Sequence, residues 1–160
     1  MKKLLIGINF VLTVIIIFMI LMFNNAAGPY YHAKVEATNF ARKHANLVDQ
    51  EDFYWYSDSA EGSYLTVTGQ NGDQASIIVL IRQSDGAIMV LDQAETVSQE
   101  AITAQMIEDI APAQILNYRM GIIEQNIPIW EVTYKKSNGS LGYYIASLET
   151  GAWLRTIDGL

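Results

Sequence analysis

Bulky apolar and polar side chains alternate along Ile129-Trp130-Glu131-Val132-Thr133-Tyr134, break at Asn138-Gly139, resume at Tyr143-Tyr144-Ile145, and turn through Glu149-Thr150-Gly151 into Ala152-Trp153-Leu154. A period of two is the mark of a half-buried strand, so the stretch predicts three antiparallel strands with Trp130, Val132 and Tyr134 on the core face. Glu131, Thr133 and Lys135 then fall on a wet face. Asn-Gly between such runs predicts a type I′ hairpin, because both residues tolerate positive φ.

The same kind of reading extends upstream. Leu4 to Phe23 is an uncharged apolar run behind Lys2 and Lys3; about twenty helical residues span the roughly 30 Å of a bilayer core. The run is longer than the apolar region of a cleaved signal, and Pro29 follows its one small-residue site, so it predicts a retained membrane anchor. Two lysines directly before the run favour an extracytoplasmic C-terminal region, although Lys34, Arg42 and Lys43 nearly balance them. After a break at Gly28-Pro29, Ala33, Ala37, Phe40, Ala41, Ala45 and Val48 form one stripe, which predicts a helix over Tyr30 to Val48 whose small residues let it lie close to a sheet.

Strands are expected at Phe53 to Tyr56, Tyr64 to Thr68, Ile77 to Ile81 and Ala87 to Leu91, joined by turns at Ser57 to Gly62, Gly69 to Asp73 and Ser84-Asp85-Gly86. Thr96-Val97-Ser98-Gln99 fits a capping box that opens a second helix with the stripe Ile102, Met106 and Ile110, closed by Pro112. A strand from Ile115 to Glu124 leads back to the meander. Helix and four strands therefore occur twice. A shift of 65 residues carries Ala37, Ala41 and Ala45 onto Ile102, Met106 and Ile110, Phe53 onto Tyr118, Val67 onto Val132, and Gly86 onto Gly151. The expected fold class is α+β: an N-terminal transmembrane helix within residues 1–28, then two tandem units over 29–94 and 95–160. Each unit is one helix on an antiparallel sheet of three to four strands.

Composition narrows the function. The net charge is −7, and −9 without Lys2 and Lys3; a chain this acidic is poorly suited to nucleic acid, whose phosphates select basic patches. Cysteine is absent, which excludes disulfides and thiolate chemistry. His32 and His44 are twelve residues apart on one predicted helix, about 120° around its axis, and cannot share a metal there. The adjacent acids Glu51-Asp52 and Glu108-Asp109 point apart and form no acid/base pair. No Gly-x-Ser-x-Gly elbow or glycine-rich phosphate loop occurs, and Asn138-Gly139-Ser140, a formal glycosylation acceptor, is better explained by its hairpin. No catalytic, cofactor or metal site is expected.

The aromatic run Phe53-Tyr54-Trp55-Tyr56 puts rings on both faces of its strand. One pair must meet a core. Packing between the units competes with an outside partner for the other pair, and if they are exposed, Tyr54 and Tyr56 beside Tyr64 are the candidate contact surface, tyrosine being favoured at interface hot spots. Trp130, Tyr134 and Trp153 are expected in the core.

Trp130-Glu131-Val132-Thr133-Tyr134, Asn138-Gly139, Tyr143-Tyr144-Ile145 and Thr150-Gly151-Ala152-Trp153-Leu154 follow the pattern of a PepSY domain, which the second unit resembles. An N-terminal anchor followed by two such units is similar to the TseB (formerly YpmB) family of Gram-positive bacteria. The resemblance covers nearly the whole chain, and is specific in the second unit and weaker in the first. It implies a cystatin-like fold, a single-pass membrane protein facing the cell wall, and regulation of cell-wall elongation through contact with a class B penicillin-binding protein. No catalytic residues come with it. PepSY domains also occur in propeptides, so a protease-inhibitory or ligand-binding module is the alternative.

Overall fold

The computed structural model describes residues 2–58 and 62–159, with side chains in the first helix at 12–17, 19 and from 28 onward. The chain divides into two compact units, Met1–Glu36 and Ala37–Leu160. The first is helical throughout its described residues, since α1 runs from Lys2 to His44 and crosses the boundary. Pro29 lies inside it, so the expected break at Gly28-Pro29 does not occur; proline's fixed φ is already helical, and what it sacrifices is one hydrogen bond. Among the described residues no helix is long and apolar enough to cross a membrane. Most side chains of Leu4 to Phe23 lie outside the described residues, and the expected anchor lies there with them.

The larger unit holds two antiparallel four-stranded sheets. The first contains β1 (Leu47–Asp58), β2 (Gly62–Asn71), β3 (Ser76–Arg82) and β4 (Ile88–Asp92) in sequential order. The second, also in order, contains β5 (Gln114–Ile123), β6 (Ile127–Lys135), β7 (Leu141–Ser147) and β8 (Trp153–Asp158), with α2 (Gln99–Ile110) between the sheets in sequence. The turn expected over Ser57 to Gly62 falls partly on residues 59–61, outside the described ones.

The 65-residue repeat survives at the level of hydrogen bonds. Shifting Ser76–Arg82 by 65 gives Leu141–Ser147, the bounds of β3 and β7. Gly86 donates to the Arg82 carbonyl and Gly151 to that of Ser147, both at 2.9 Å, with φ of 72° and 71°. In the preceding hairpins Gln74 donates to Asn71 and Gly139 to Lys136, again 65 apart. These are three-residue loops in which only the last residue has positive φ, rather than the expected I′ turn. Asn138 instead uses its side chain, accepting from the backbone N–H of Ser140 at 3.0 Å.

Two helix ends differ from expectation. α1 stops at His44 because Asn46 takes φ 54°, which reverses the chain into β1; Val48, assigned to the helical stripe, is an exposed strand residue. At α2 the cap is Ser98 rather than Thr96: its hydroxyl accepts from the Ala101 N–H at 3.2 Å, whereas the Thr96 hydroxyl donates to the Gln93 carbonyl and closes a short 3-10 turn. Ser98→Ala is expected to cost about 0.5–2 kcal/mol in urea unfolding, and Thr96→Ala less, since it leaves the α2 cap intact.

Alternation in the first sheet gives two apolar faces. On one, Phe53, Leu65, Val67, Val79 and Ile81 are buried, and the last turns of α1 lie there with Ala37 and Ala41 buried and the Phe40 ring against Gly86. On the other, Tyr56, Tyr64, Ile78 and Leu80 join a single core with α2 and the second sheet. Ala33, Ala37 and Ala41 of the small stripe are buried, as its spacing predicts.

Candidate functional site

Strand β5 forms one edge of the second sheet, and that edge lies across β1 and β2. An edge carbonyl buried without a donor would cost free energy; here the Thr66 hydroxyl donates to the Met120 carbonyl at 3.1 Å. From β1, Tyr56 packs against β5 and Tyr54 against Trp130 of β6. The Tyr56 ring covers Gly121, where a Cβ would come no more than 2.9 Å from the tyrosine's Cβ and closer still to its ring. The Tyr54 ring meets Trp130 edge-on at 5.6 Å, and Tyr118 meets the same indole at 6.2 Å.

The candidate contact residues are thereby placed between the sheets. Tyr56 and Tyr64 are 1% and 2% exposed and Tyr54 is half-buried, so Tyr56 and Tyr64 are not an outward surface. The reason is topological: both faces of β1 are covered, one by α1 and the other by β5. Of the three aromatics assigned to the core, Trp130 and Tyr134 are there, but Trp153 is 56% exposed. It stands at the start of β8, the far edge of the second sheet, with its indole N–H donated to the Thr156 hydroxyl at 2.9 Å. Ile157, two alternations further on, is 38% exposed. An apolar edge strand with an exposed tryptophan is suited to pairing with an extended segment. The sequence signal was ambiguous, since an aromatic after Thr-Gly reads the same on an inner or an edge strand.

Of the expected wet face of β6, Lys135 is exposed and Thr133 half-buried, but Glu131 is covered. Glu131 is 7% exposed, paired with Arg119 at 3.0 Å, and Tyr56 donates to Asp58 at 3.3 Å, which Arg155 approaches at 3.5 Å. Burial pushes the Glu131 carboxyl above its ordinary value of 4.5, only partly offset by Arg119. Burial next to Asp58 also raises the Tyr56 phenol. A carboxyl with a raised folded pKa holds its proton more tightly in the native state, so it makes stability fall as pH rises from the unfolded value through the folded one. Glu131→Gln is expected to remove that fall, leaving the variant gaining on the wild type as pH rises above the ordinary carboxyl value. Parallel urea-midpoint profiles would refute the assignment.

On the helix side, Trp130 donates to the Val97 carbonyl at 2.8 Å, Thr103 bonds Tyr118 at 2.7 Å, and Gln105 donates to the Tyr144 hydroxyl at 2.7 Å, which itself donates to Asp109. Burial and Asp109 push the Tyr144 phenol up to about 12. These bonds fix α2 on its sheet. His44 is exposed and stacks on Phe40 at 4.3 Å, and His32 is exposed on α1. Among the described residues no group of three His, Cys, Asp or Glu could hold a metal. A polar cavity of about 520 Å³ opens between the first sheet and the start of α2, with Asp52, Tyr54, Gln93, Gln99, Glu100 and Trp130 in its wall.

Two antiparallel four-stranded sheets with few helices, packed edge to face, make this an α+β protein whose exposed features are surfaces. Residues 36–82, the end of α1 through β3, match the family described as Cell wall elongation regulator TseB-like domain. The YpmB protein from Bacillus subtilis has a similar fold, with a TM-score of 0.64 and 23% sequence identity over 78% of this chain and 96% of that one. A comparison with curated proteins returns no match. The family match covers the end of α1 and the first three strands of the first sheet, and the likeness to YpmB is one of fold. The family match falls on the first sheet, the copy whose sequence resemblance was the weaker.

Proposed function

We propose that this protein is a membrane-anchored, extracytoplasmic, non-enzymatic regulator of cell-wall elongation that acts by binding a class B penicillin-binding protein. The observation that carries the reading is the TseB-like match across residues 36–82. The apolar run Leu4 to Phe23 supplies the anchor, and confinement to a membrane raises effective concentration, so a weak interface suffices. Photo-crosslinkers placed at Trp153 and Ile157 in living cells are expected to capture a penicillin-binding protein. Repeated capture of none, with the protein present and folded, rejects the partner. Protease added to spheroplasts is expected to digest the larger unit; its full protection rejects the extracytoplasmic assignment.

The free edge of β8 favours a second reading, a protease-inhibitory or ligand-binding module that adds a strand from its target. Inhibition of an extracellular protease by the purified protein, lost on introducing proline at Thr156, supports it; no inhibition disposes of it.

A further inference from the structure

We propose that Tyr30 and Tyr31 form a collar that seats α1 in the lipid headgroup layer on the outer side of the membrane, an inference that rests on the membrane anchor proposed above. The two side chains are 50% and 65% exposed. Adjacent residues of a helix point about 100° apart, so both rings cannot lie on one flat protein surface. A bilayer surrounds a helix on every side and meets both at once. The same all-round character marks the segment ahead of them: Leu12, Val14, Ile15, Ile16, Ile17 and Met19 are each about half exposed, and a helix apolar on every side is one that lipid or protein must cover. Tyrosine has an apolar ring and a polar tip, the combination that a headgroup layer accommodates.

The length of α1 sets the height of the collar. The helix is continuous from Lys2 to His44, so position along it converts to distance at about 1.5 Å per residue. From Lys3 to Tyr30 this is about 40 Å, against about 40–45 Å for a bilayer with its headgroup layers. The apolar run Leu4 to Phe23 accounts for about 30 Å of that, the thickness of the hydrocarbon core. Tyr30 then stands about 10 Å beyond the end of the run, and aromatic side chains of a helix lean toward its N-terminus, here back toward the lipid. Lysines at one end and tyrosines at the other therefore bracket the run at the spacing of the two polar layers.

The chain has no cysteine, so each single-cysteine variant takes a nitroxide label at one site. The full chain is reconstituted in vesicles of phosphatidylcholine, which hold no protein partner. Collision of the label with oxygen, which concentrates in hydrocarbon, and with a water-soluble nickel chelate gives its depth. Ile16→Cys reports the anchor: a label there that collides freely with nickel rejects the anchor and the proposal with it. With the Ile16 label in hydrocarbon, His32→Cys tests the collar, and Arg42→Cys, exposed further along the same helix, is the reference. The label at His32 is expected to be shielded from nickel relative to that at Arg42. Equal collision at the two overturns the proposal and leaves the anchor standing. Tyr30→Ser with Tyr31→Ser is expected to abolish the shielding, and Tyr30→Trp with Tyr31→Trp to retain it, since tryptophan occupies the same layer. Shielding that survives the serines, or is lost with the tryptophans, overturns the proposal too.

Discussion

Trp130→Ala is expected to destabilise the protein by about 3–5 kcal/mol, the range for truncating a buried tryptophan to alanine. The indole is 2% exposed at the centre of β6 and belongs to the core shared by α2 and both sheets. Two rings, Tyr54 and Tyr118, meet it edge-on, and its N–H is the donor for the Val97 carbonyl just ahead of α2. Truncation would open a cavity, remove the contact of Tyr54 from the opposite sheet, and leave that carbonyl without its donor. Trp153→Ala is the internal contrast. At 56% exposure on the edge strand, its replacement is expected to change stability by about 0.5 kcal/mol or less while weakening crosslinking through β8. Urea unfolding followed by far-UV circular dichroism separates the two, and equal costs would contradict the placement of either residue.

The second large effect comes from adding a single methyl. Gly121→Ala is expected to cost about 1–3 kcal/mol by overpacking, because the added carbon would occupy space held by the Tyr56 ring and its Cβ. Tyr56 cannot swing aside freely: it is 1% exposed, and its hydroxyl is tied to Asp58. Backbone movement of β5 is restrained by its pairing with β6 along its whole length and by the Thr66 bond to Met120. The cost should therefore fall when the ring is removed as well. In Gly121→Ala with Tyr56→Leu, the combined destabilisation is expected to be smaller than the sum of the two single changes. Additivity would show that the sheets do not meet there.

Residues that serve their own element were legible in advance. The alanine stripe of α1 and the pair Ile102 and Met106 of α2 are buried as their spacing predicts, since 3.6-residue periodicity is a property of the chain itself. The 65-residue repeat was legible for the same reason and extends to the hydrogen bonds of Gly86 and Gly151. Local competition hid other details. Thr96 and Ser98 are both good caps, and only the 3-10 turn from Gln93 to Glu95, which engages the threonine hydroxyl, leaves the serine to start the helix.

Sequence alone determined the class, α+β with two antiparallel sheets in an acidic chain without cysteine, because alternation, turn residues and charge act within a few residues of each other. Only the tertiary structure decided how each face was used. Alternation states that β1 and β6 have two faces but not what covers them. The edge of β5 laid across β1 and β2 turned Tyr56 and Tyr64 inward, buried Glu131 with Arg119, and brought Asp52 to the same cavity as Glu100. Because β8 is the edge of its sheet among the described residues, Trp153 was left at the surface. Contacts between the sheets join residues distant in sequence, as Thr66 and Met120 are at 54 positions apart, and no local pattern encodes them.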